Sequence, residues 1–574
     1  MKIIKIFLTA IASIVFMTGA YAQNVNIPDA NFKAALVNNA SINTNMDTAI
    51  QLTEAAAYNG AIHVVGLGIT DLTGIEAFVA IDSLDCNSNT IWWYDPWTGQ
   101  YILVSFLSSL NVSANTALTY LNCSGNSLTS LDVSACNALT YLNCSSNALP
   151  ILNVTSNTTL TYLNCSGNAL TSMDVSACTA LTVLQCYYNQ LTNLDVSANT
   201  ALTTLDCSVN QLNSLDVSAC TLLTTFNCQN NQLTSLDVSL NIALTTLDCA
   251  SNQLSSLTVL GCSGLVSLNC NSNPLSSLDV SSCTALTSLG CAYNQLSVLD
   301  VSSCTALKGL QCTGNYLSTL NVSGCTSLTN LGCASNYLSS LDVSACTSLT
   351  YLFCVYNQLT NLNVLFSTAL TTLDCRNNFL SNLDVSDNTA LITLACSDNQ
   401  LTNLNVSYNH ALISLYCYGN QLTSLNVSAN NALTNFGCSN NLLTSLNVKN
   451  GKNNQMNFDA TANPNLSCIE VDDVIYSTLY WSNKVPLSAY FSGNCGSTSI
   501  DDIAIDKTLM AYPNPTTGTL FLTQKENLTL SDLSGKLLLE QKNTNQLDMS
   551  SLPAGMYLLR VGNHLKQPFK IIKD

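Results

Sequence analysis

Positive charge is what this chain has least of. Its 574 residues hold 16 Lys and Arg against 34 Asp and Glu, a net charge of −18. From Leu107 to Val448 the only Lys and Arg are Lys308 and Arg376. Phosphate backbones and anionic lipids are held by basic patches, so nucleic acid and charged membrane surfaces are excluded as partners. Histidine is nearly absent, with only His63, His410 and His564. None of them lies near a nucleophile motif, and there is no GxSxG, HExxH or Gly-rich phosphate loop. No catalytic residues are assigned, and no enzyme is expected. Beyond the N-terminus no apolar run approaches the length of about 18 residues that spans a bilayer, so no transmembrane helix is expected.

The N-terminus itself reads as a secretory signal peptide over residues 1–22. Lys2 and Lys5 give the positive start, residues 6–17 the apolar segment, and Ala20-Tyr21-Ala22 the cleavage site.

What the chain has in excess is a period. LTYLNCSGNSLTSLDVSACNA at residues 118–138 is followed by LTYLNCSSNALPILNVTSNTT, and the 21-residue frame then runs on without insertion or deletion. Its sixth residue is Cys from Cys123 to Cys438. An Asn follows three places later, from Asn126 to Asn441, and a Val ten places later, from Val133 to Val448. A fixed period of this size predicts a solenoid. Each repeat holds two short extended segments, leaving no room for a helix, and its Leu, Cys and Val alternate inward. The Asn is expected to tie open backbone groups at the turn. The third, fifth, seventh and eighth positions vary and are read as outward and free.

The 27 cysteines do not read as a disulfide framework. Most fill the sixth position. Eight others (Cys136, Cys178, Cys220, Cys262, Cys283, Cys304, Cys325 and Cys346) fill the nineteenth, where Asn stands at Asn115, Asn157, Asn199, Asn241, Asn388, Asn409 and Asn430. A position that accepts Cys or Asn calls for a small hydrogen-bonding side chain in a turn. A metal-binding array lacks CxxC pairs and nearby His. Only Cys468 and Cys495 lie outside the frame, and they are the disulfide candidate.

Residues 23–80 form an N-terminal cap that opens with a short helix after Asp29. Within it Asn43, Asn45, Asp47, the Ala49 carbonyl and Glu54 fall at positions 1, 3, 5, 7 and 12 of an EF-hand-like loop. Position 1 is Asn rather than Asp and position 6 is Thr48 rather than Gly. The loop is therefore either a Ca²⁺ site, the one cofactor in view, or a metal-free helix-loop-helix cap. The frame enters at Leu84, Cys86 and Asn89, breaks over residues 90–105, and resumes at Leu107. The insertion carries Trp92, Trp93, Tyr94 and Trp97, and should emerge as a loop. Its aromatics either anchor a protein or sugar or cover an apolar edge. Tyr351, Phe353, Tyr356, Arg376, Tyr416 and Tyr418 lie on neighbouring coils. They form a protein-binding patch or a cover over Ser/Thr-rich surface. Residues 467–500 read as a disulfide-stapled cap and linker, and 501–574 as a small antiparallel β-sandwich.

The frame resembles a leucine-rich repeat, LxxLxLxxNxL, with Cys at the last Leu of the strand. Its second half, LxxLDV, is similar to the 21-residue IRREKO class, and the resemblance covers residues 81–466. It implies a mainly β leucine-rich repeat solenoid, with a small helical N-terminal cap and a C-terminal antiparallel β-sandwich. Pro513, Asn514, Pro515, Gly518, Gly535, Gly555, Tyr557 and Lys573 lie in motifs that closely resemble the type A sorting domain of the type IX secretion system of Bacteroidetes. That resemblance implies passage of a periplasmic cargo through the outer membrane, with the secretion machinery as a partner. The expectation is a secreted or surface protein whose solenoid binds protein or polysaccharide. A purely structural surface or matrix spacer is the alternative.

Overall fold

The 21-residue period becomes a ladder of parallel strands. The computed structural model describes residues 23–95, 100–105, 107–495, 511–512, 516–562 and 569–574. It divides into a unit of residues 1–493 and one of residues 494–574. In the first, a 19-stranded parallel sheet runs from Ala61–His63 and Ser83–Asp85 through Tyr120–Asn122 to Asn457–Asp459. Each three-residue strand buries its central residue, and partners lie one repeat apart, as in Leu121↔Leu142 and Leu142↔Leu163. The leucines at this position and the following Cys share one continuous core with the Val of the second half.

The second halves are extended but seldom laddered. Strand pairs form at Ser235–Asp237 with Ser256–Thr258, and at Ser340–Asp342 with Asn361–Asn363. A four-stranded sheet closes the end of the solenoid from Ser424–Asn426 to Tyr490–Ser492. Elsewhere the Asp or Asn of the LDV segment makes a local turn. The Asp132 carboxylate accepts from the Ser134 N–H at 2.9 Å, and Asn153 does the same for Thr155 at 3.0 Å. The LDV Asp is therefore a turn-former as much as a surface charge.

The conserved spacing of Asn has a direct cause. In each coil its side-chain amide donates to the Cys carbonyl of its own coil and to that of the coil before. Its oxygen accepts an N–H from the preceding coil's second half, except at Asn126, which follows the inserted hairpin and whose buried oxygen has no partner. For Asn294 these are Cys291 O at 3.0 Å, Cys270 O at 3.1 Å and Leu275 N at 3.2 Å. One planar carboxamide thus satisfies three buried backbone groups and bolts two coils together. To reach them the preceding, eighth residue takes a left-handed conformation in every coil from Ser88 to Asn440, with φ of 51 to 68°. The eighth position is therefore not free, contrary to its reading as a variable outward site. Gly, Ser, Asn and Asp suit it, whereas Tyr188, Val209, Tyr293 and Tyr356 occupy it against their preference. The fifth position is only partly free. Where it holds Asp or Asn the side chain caps the seventh residue's N–H, as Asn164 does for Ser166 at 3.0 Å and Asp206 for Ser208 at 3.0 Å.

The nineteenth position explains its own alternation. Asn157 donates to Val133 O at 3.0 Å and Cys136 O at 2.9 Å. The Cys136 thiol reaches the equivalent Val112 O at 3.4 Å and Asn115 O at 3.6 Å. Asn makes the stronger bonds but leaves its own buried oxygen without a partner at Asn115, Asn157, Asn199, Asn241, Asn388, Asn409 and Asn430. Cys makes weaker bonds and leaves nothing unpaired, so the two are nearly interchangeable.

The ends are sealed differently. At the start, helix Ala30–Val37 is capped by Asp29, which also accepts from Thr70, and buries Phe32 and Leu36. At the far end Phe436, Phe458, Trp481 and Phe491 form a chain of ring contacts, the tightest being Phe458–Trp481 at 4.4 Å. Cys468 and Cys495 are disulfide-bonded. The second unit is a five-stranded antiparallel sheet built on the long, bulged strand Thr519–Ser531. Leu520, Leu522, Leu528 and Leu530 from both halves of that strand enter one core with Leu559 and Ile571.

Two substitutions separate these roles. Asn294→Ala should lower stability by roughly 2–4 kcal/mol, because it orphans buried carbonyls and an N–H. Asn157→Cys should cost less than about 1 kcal/mol. Urea unfolding followed by circular dichroism should give midpoints in that order.

Candidate functional site

The loop at 43–54 has the spacing of a calcium site but spends its oxygens internally. One Glu54 oxygen accepts from the Thr44 N–H at 2.8 Å, the Thr44 hydroxyl at 2.9 Å and the Asn45 N–H at 3.2 Å. The other accepts from the Gln51 N–H at 3.1 Å. Asp47 accepts from the Ala49 N–H, Asn45 and Gln51. The Asn45 oxygen takes the Asp47 N–H, and the Ala49 carbonyl the Gln51 amide at 3.4 Å. Asn43 is buried and donates to Val37 O and Asp47 O. As a set these residues do not fit calcium: the Asn43 oxygen is buried without a partner, but the Asn45, Asp47 and Glu54 oxygens face N–H donors, and Glu54 closes a capping box on helix Leu52–Ala57. Among the described residues no three His, Cys, Asp or Glu side chains are grouped to hold a metal. Burial opposes ionisation of Glu54, but the donors from Gln51, Thr44 and Asn45 outweigh it and hold the carboxyl below its usual range.

The break at 90–105 is not an irregular loop. Thr90–Asp95 and Gln100–Ser105 form an antiparallel hairpin, with Trp92 opposite Leu103, Trp93 opposite Ile102 and Tyr94 opposite Tyr101. Trp97 lies outside the described residues. The hairpin leaves the main register intact. Leu84 pairs with Leu121, 37 positions on, which is one repeat plus the 16 inserted residues. It starts directly after Asn89, whose amide has already been fixed by Val64 O and Cys86 O at 2.9 Å each.

On the strand face, Tyr351 and Phe353 flank the buried Leu352, with ring centroids 6.4 Å apart and planes within 16°. The fifth-position column runs Phe353, Asp374, Ala395, Tyr416 in strict register. Arg376 binds Asp374 through two nitrogens, at 2.8 and 2.6 Å. The Asp374 carboxylate, helped by the Tyr418 hydroxyl, raises the guanidinium pKa further. Phe353, Arg376, Tyr416 and Tyr418 therefore share four neighbouring coils. Tyr356 stands apart, in the turn after its strand, exposed and with φ of 55°. Asp374 was missed as a member of the group. The signal was the Asp-x-Arg spacing, which on a strand places both side chains on one face.

Phe353 and Tyr416 share a further property. Each replaces the Asp or Asn that caps the turn in many other coils, and so gives up a hydrogen bond to present an aromatic. The thiols offer no comparable chemistry. Burial pushes Cys165 up to about 12 and Cys136 up to about 11, far from a reactive thiolate.

In the C-terminal unit Gly535 turns the chain at φ 84°, Gly555 opens the strand Gly555–Val561, and the Tyr557 hydroxyl donates to Pro553 O at 2.7 Å. Lys573 bridges to Thr516, and Gly518 N–H donates to the Thr516 hydroxyl at 3.2 Å. Pro513, Asn514 and Pro515 lie outside the described residues, as does the signal peptide. Residues 510–573 match the family described as "Secretion system C-terminal sorting domain". The sorting domain is of the Bacteroidetes type and directs the chain by type IX secretion to the cell surface or the extracellular space. No helix among the described residues is long and apolar enough to cross a membrane.

No curated protein matches the chain in sequence. Several solved leucine-rich repeat structures resemble it. The leucine-rich repeat protein LIC12759 of Leptospira interrogans has 21% identity and a TM-score of 0.50, over 64% of this chain and 92% of its own. The Arabidopsis receptor kinase HAESA, in complex with the peptide hormone IDA and the co-receptor SERK1, has 20% identity and a TM-score of 0.50, over 72% and 79%. The functional domain of InlJ from Listeria monocytogenes, which includes a cysteine ladder, has 27% identity and a TM-score of 0.45, over 96% and 98%. The solenoid ahead of the sorting domain is a leucine-rich repeat fold.

The Glu54 geometry makes a prediction of opposite sign to a calcium site. Calcium and a chelator should both leave the melting temperature unchanged. Because the Glu54 pKa is lowered by folding, its contribution is present above the unfolded carboxylate range of about 4 and is lost as pH falls through the folded value. Hydrogen exchange should show residues 43–54 losing protection on acidification, and Glu54→Gln should show much of that loss already at pH 7.

Proposed function

We propose that the exported chain is a binding protein at the cell surface or outside the cell, and that the solenoid's strand face takes a protein ligand around Phe353 and Tyr416. One observation carries the reading: at these two coils the fifth position holds a half-buried aromatic in place of the Asp or Asn that caps the turn in many other coils. Arg376, held flat by Asp374 between the two aromatics in register, supplies the directional contact such a face needs. Tyr351 and Tyr418 widen the patch, and the Trp92–Trp93–Tyr94 hairpin is a second anchor. The reading is non-enzymatic, since the thiols are buried and the three His are dispersed along the chain.

The chain of residues 23–574 should retain a surface protein from extracts of the producing cell or its host. The variant Phe353→Ser with Tyr416→Ser should weaken capture at least about tenfold, with the melting temperature unchanged. Equal capture by the variant removes the strand face as the site. No capture by either chain supports the spacer reading instead.

A further inference from the structure

Five consecutive coils each place one large aromatic at the turn that follows the parallel strand. Tyr293 and Tyr356 occupy the eighth position, and Tyr316, Tyr337 and Phe379 the tenth. Their exposures are 64, 62, 52, 52 and 50% in that order. The residue between these two positions is always the buried ladder Asn, from Asn294 to Asn378, so every ring springs from a fixed point. Where the aromatic takes the eighth position, the tenth is Gln295 or Gln358. Where it takes the tenth, the eighth is Gly314, Ser335 or Asn377. One aromatic platform with a small or polar neighbour thus recurs at each step, by two different routes. Tyr293 and Tyr356 do so in a left-handed backbone, which Gly would fill without strain. Five exposed rings on consecutive coils, two of them kept at that cost, make an apolar strip along this turn edge.

The geometry points to a second binding site on this turn edge, for a neutral, extended β-linked glucan. The coil rise of roughly 4.8 Å is close to the length of one pyranose along such a chain. Each successive sugar therefore meets a successive ring. Equatorial hexopyranoses present flat C–H faces to aromatics, while the Gln side chains can bond their hydroxyls. Tyr316 and Tyr337 are parallel within 11° with centroids 6.0 Å apart. Tyr120, Tyr141 and Tyr162 stack more closely, at 4.4 Å, and so cover more of one another's faces. A net charge of −18 disfavours an acidic polysaccharide. The row is one residue wide, whereas a stable protein interface needs about 20–30 residues a side. The site is separate from the strand-face patch and does not rest on it.

Affinity electrophoresis of residues 23–574 tests the proposal, in gels containing mixed-linkage β-glucan or alginate. β-Glucan should retard the chain and alginate should not. The triple variant Tyr316→Ala, Tyr337→Ala, Phe379→Ala should bind at least about tenfold more weakly. The double variant Tyr293→Gly, Tyr356→Gly should also bind more weakly while melting no lower than wild type, which rules out unfolding as the cause. Phe353→Ser with Tyr416→Ser should bind β-glucan as wild type does, whatever happens to its protein capture. Absence of retardation by β-glucan, equal retardation by alginate, or wild-type binding by the triple variant would each overturn the proposal. So would loss of protein capture alone in the triple variant, which would assign the row to a protein partner.

Discussion

The carboxamide of the ladder Asn is the interaction on which the solenoid depends. In coil after coil it reaches backbone groups of two coils at once. Asn294 ties the Cys291 and Cys270 carbonyls to the Leu275 N–H. Stacked coils share no loop that could absorb a misfit, so this bond sets the period. Its geometry forces the left-handed eighth residue and decides which of the adjoining positions have freedom. It also decides where an insertion is tolerated. The hairpin leaves the chain directly after Asn89 has made its bonds, and the strands on either side keep their register.

Cysteine serves this architecture as a small, weakly polar filler. At the sixth position it is fully buried and its carbonyl receives the Asn bonds. At the nineteenth its thiol donates to carbonyls that Asn otherwise reaches. Both uses are satisfied by shape and a single weak donor. Reactive or disulfide chemistry is confined to Cys468 and Cys495, outside the frame.

Departures from the frame are where the proposed binding surfaces lie. Phe353 and Tyr416 displace a turn cap, Tyr293 and Tyr356 occupy a position made for Gly, and the Trp-bearing hairpin breaks the count. The hairpin begins at the tenth position of its coil, the same turn that carries Tyr316, Tyr337 and Phe379. The sorting domain directs the chain to the cell surface or the extracellular space, so these aromatics are presented there.

Period, inward Leu, Cys and Val, the Asn bolt, the absence of a helical half and the sorting domain were all legible in the residues, because each follows from spacing and hydrophobic alternation along the chain. Three things were not. Glu54 has calcium-like spacing, but only the fold shows its oxygens turned onto the N–H groups of Thr44, Asn45 and Gln51. The fifth and eighth positions look free in a row of letters, yet one caps a turn and the other bears positive φ. The aromatic row is scattered over two positions and nearly ninety residues. Sequence alone determines what repeats along one dimension. Which side chains meet is decided by the stacking of coils, since that brings residues 21 or more apart within one strand spacing.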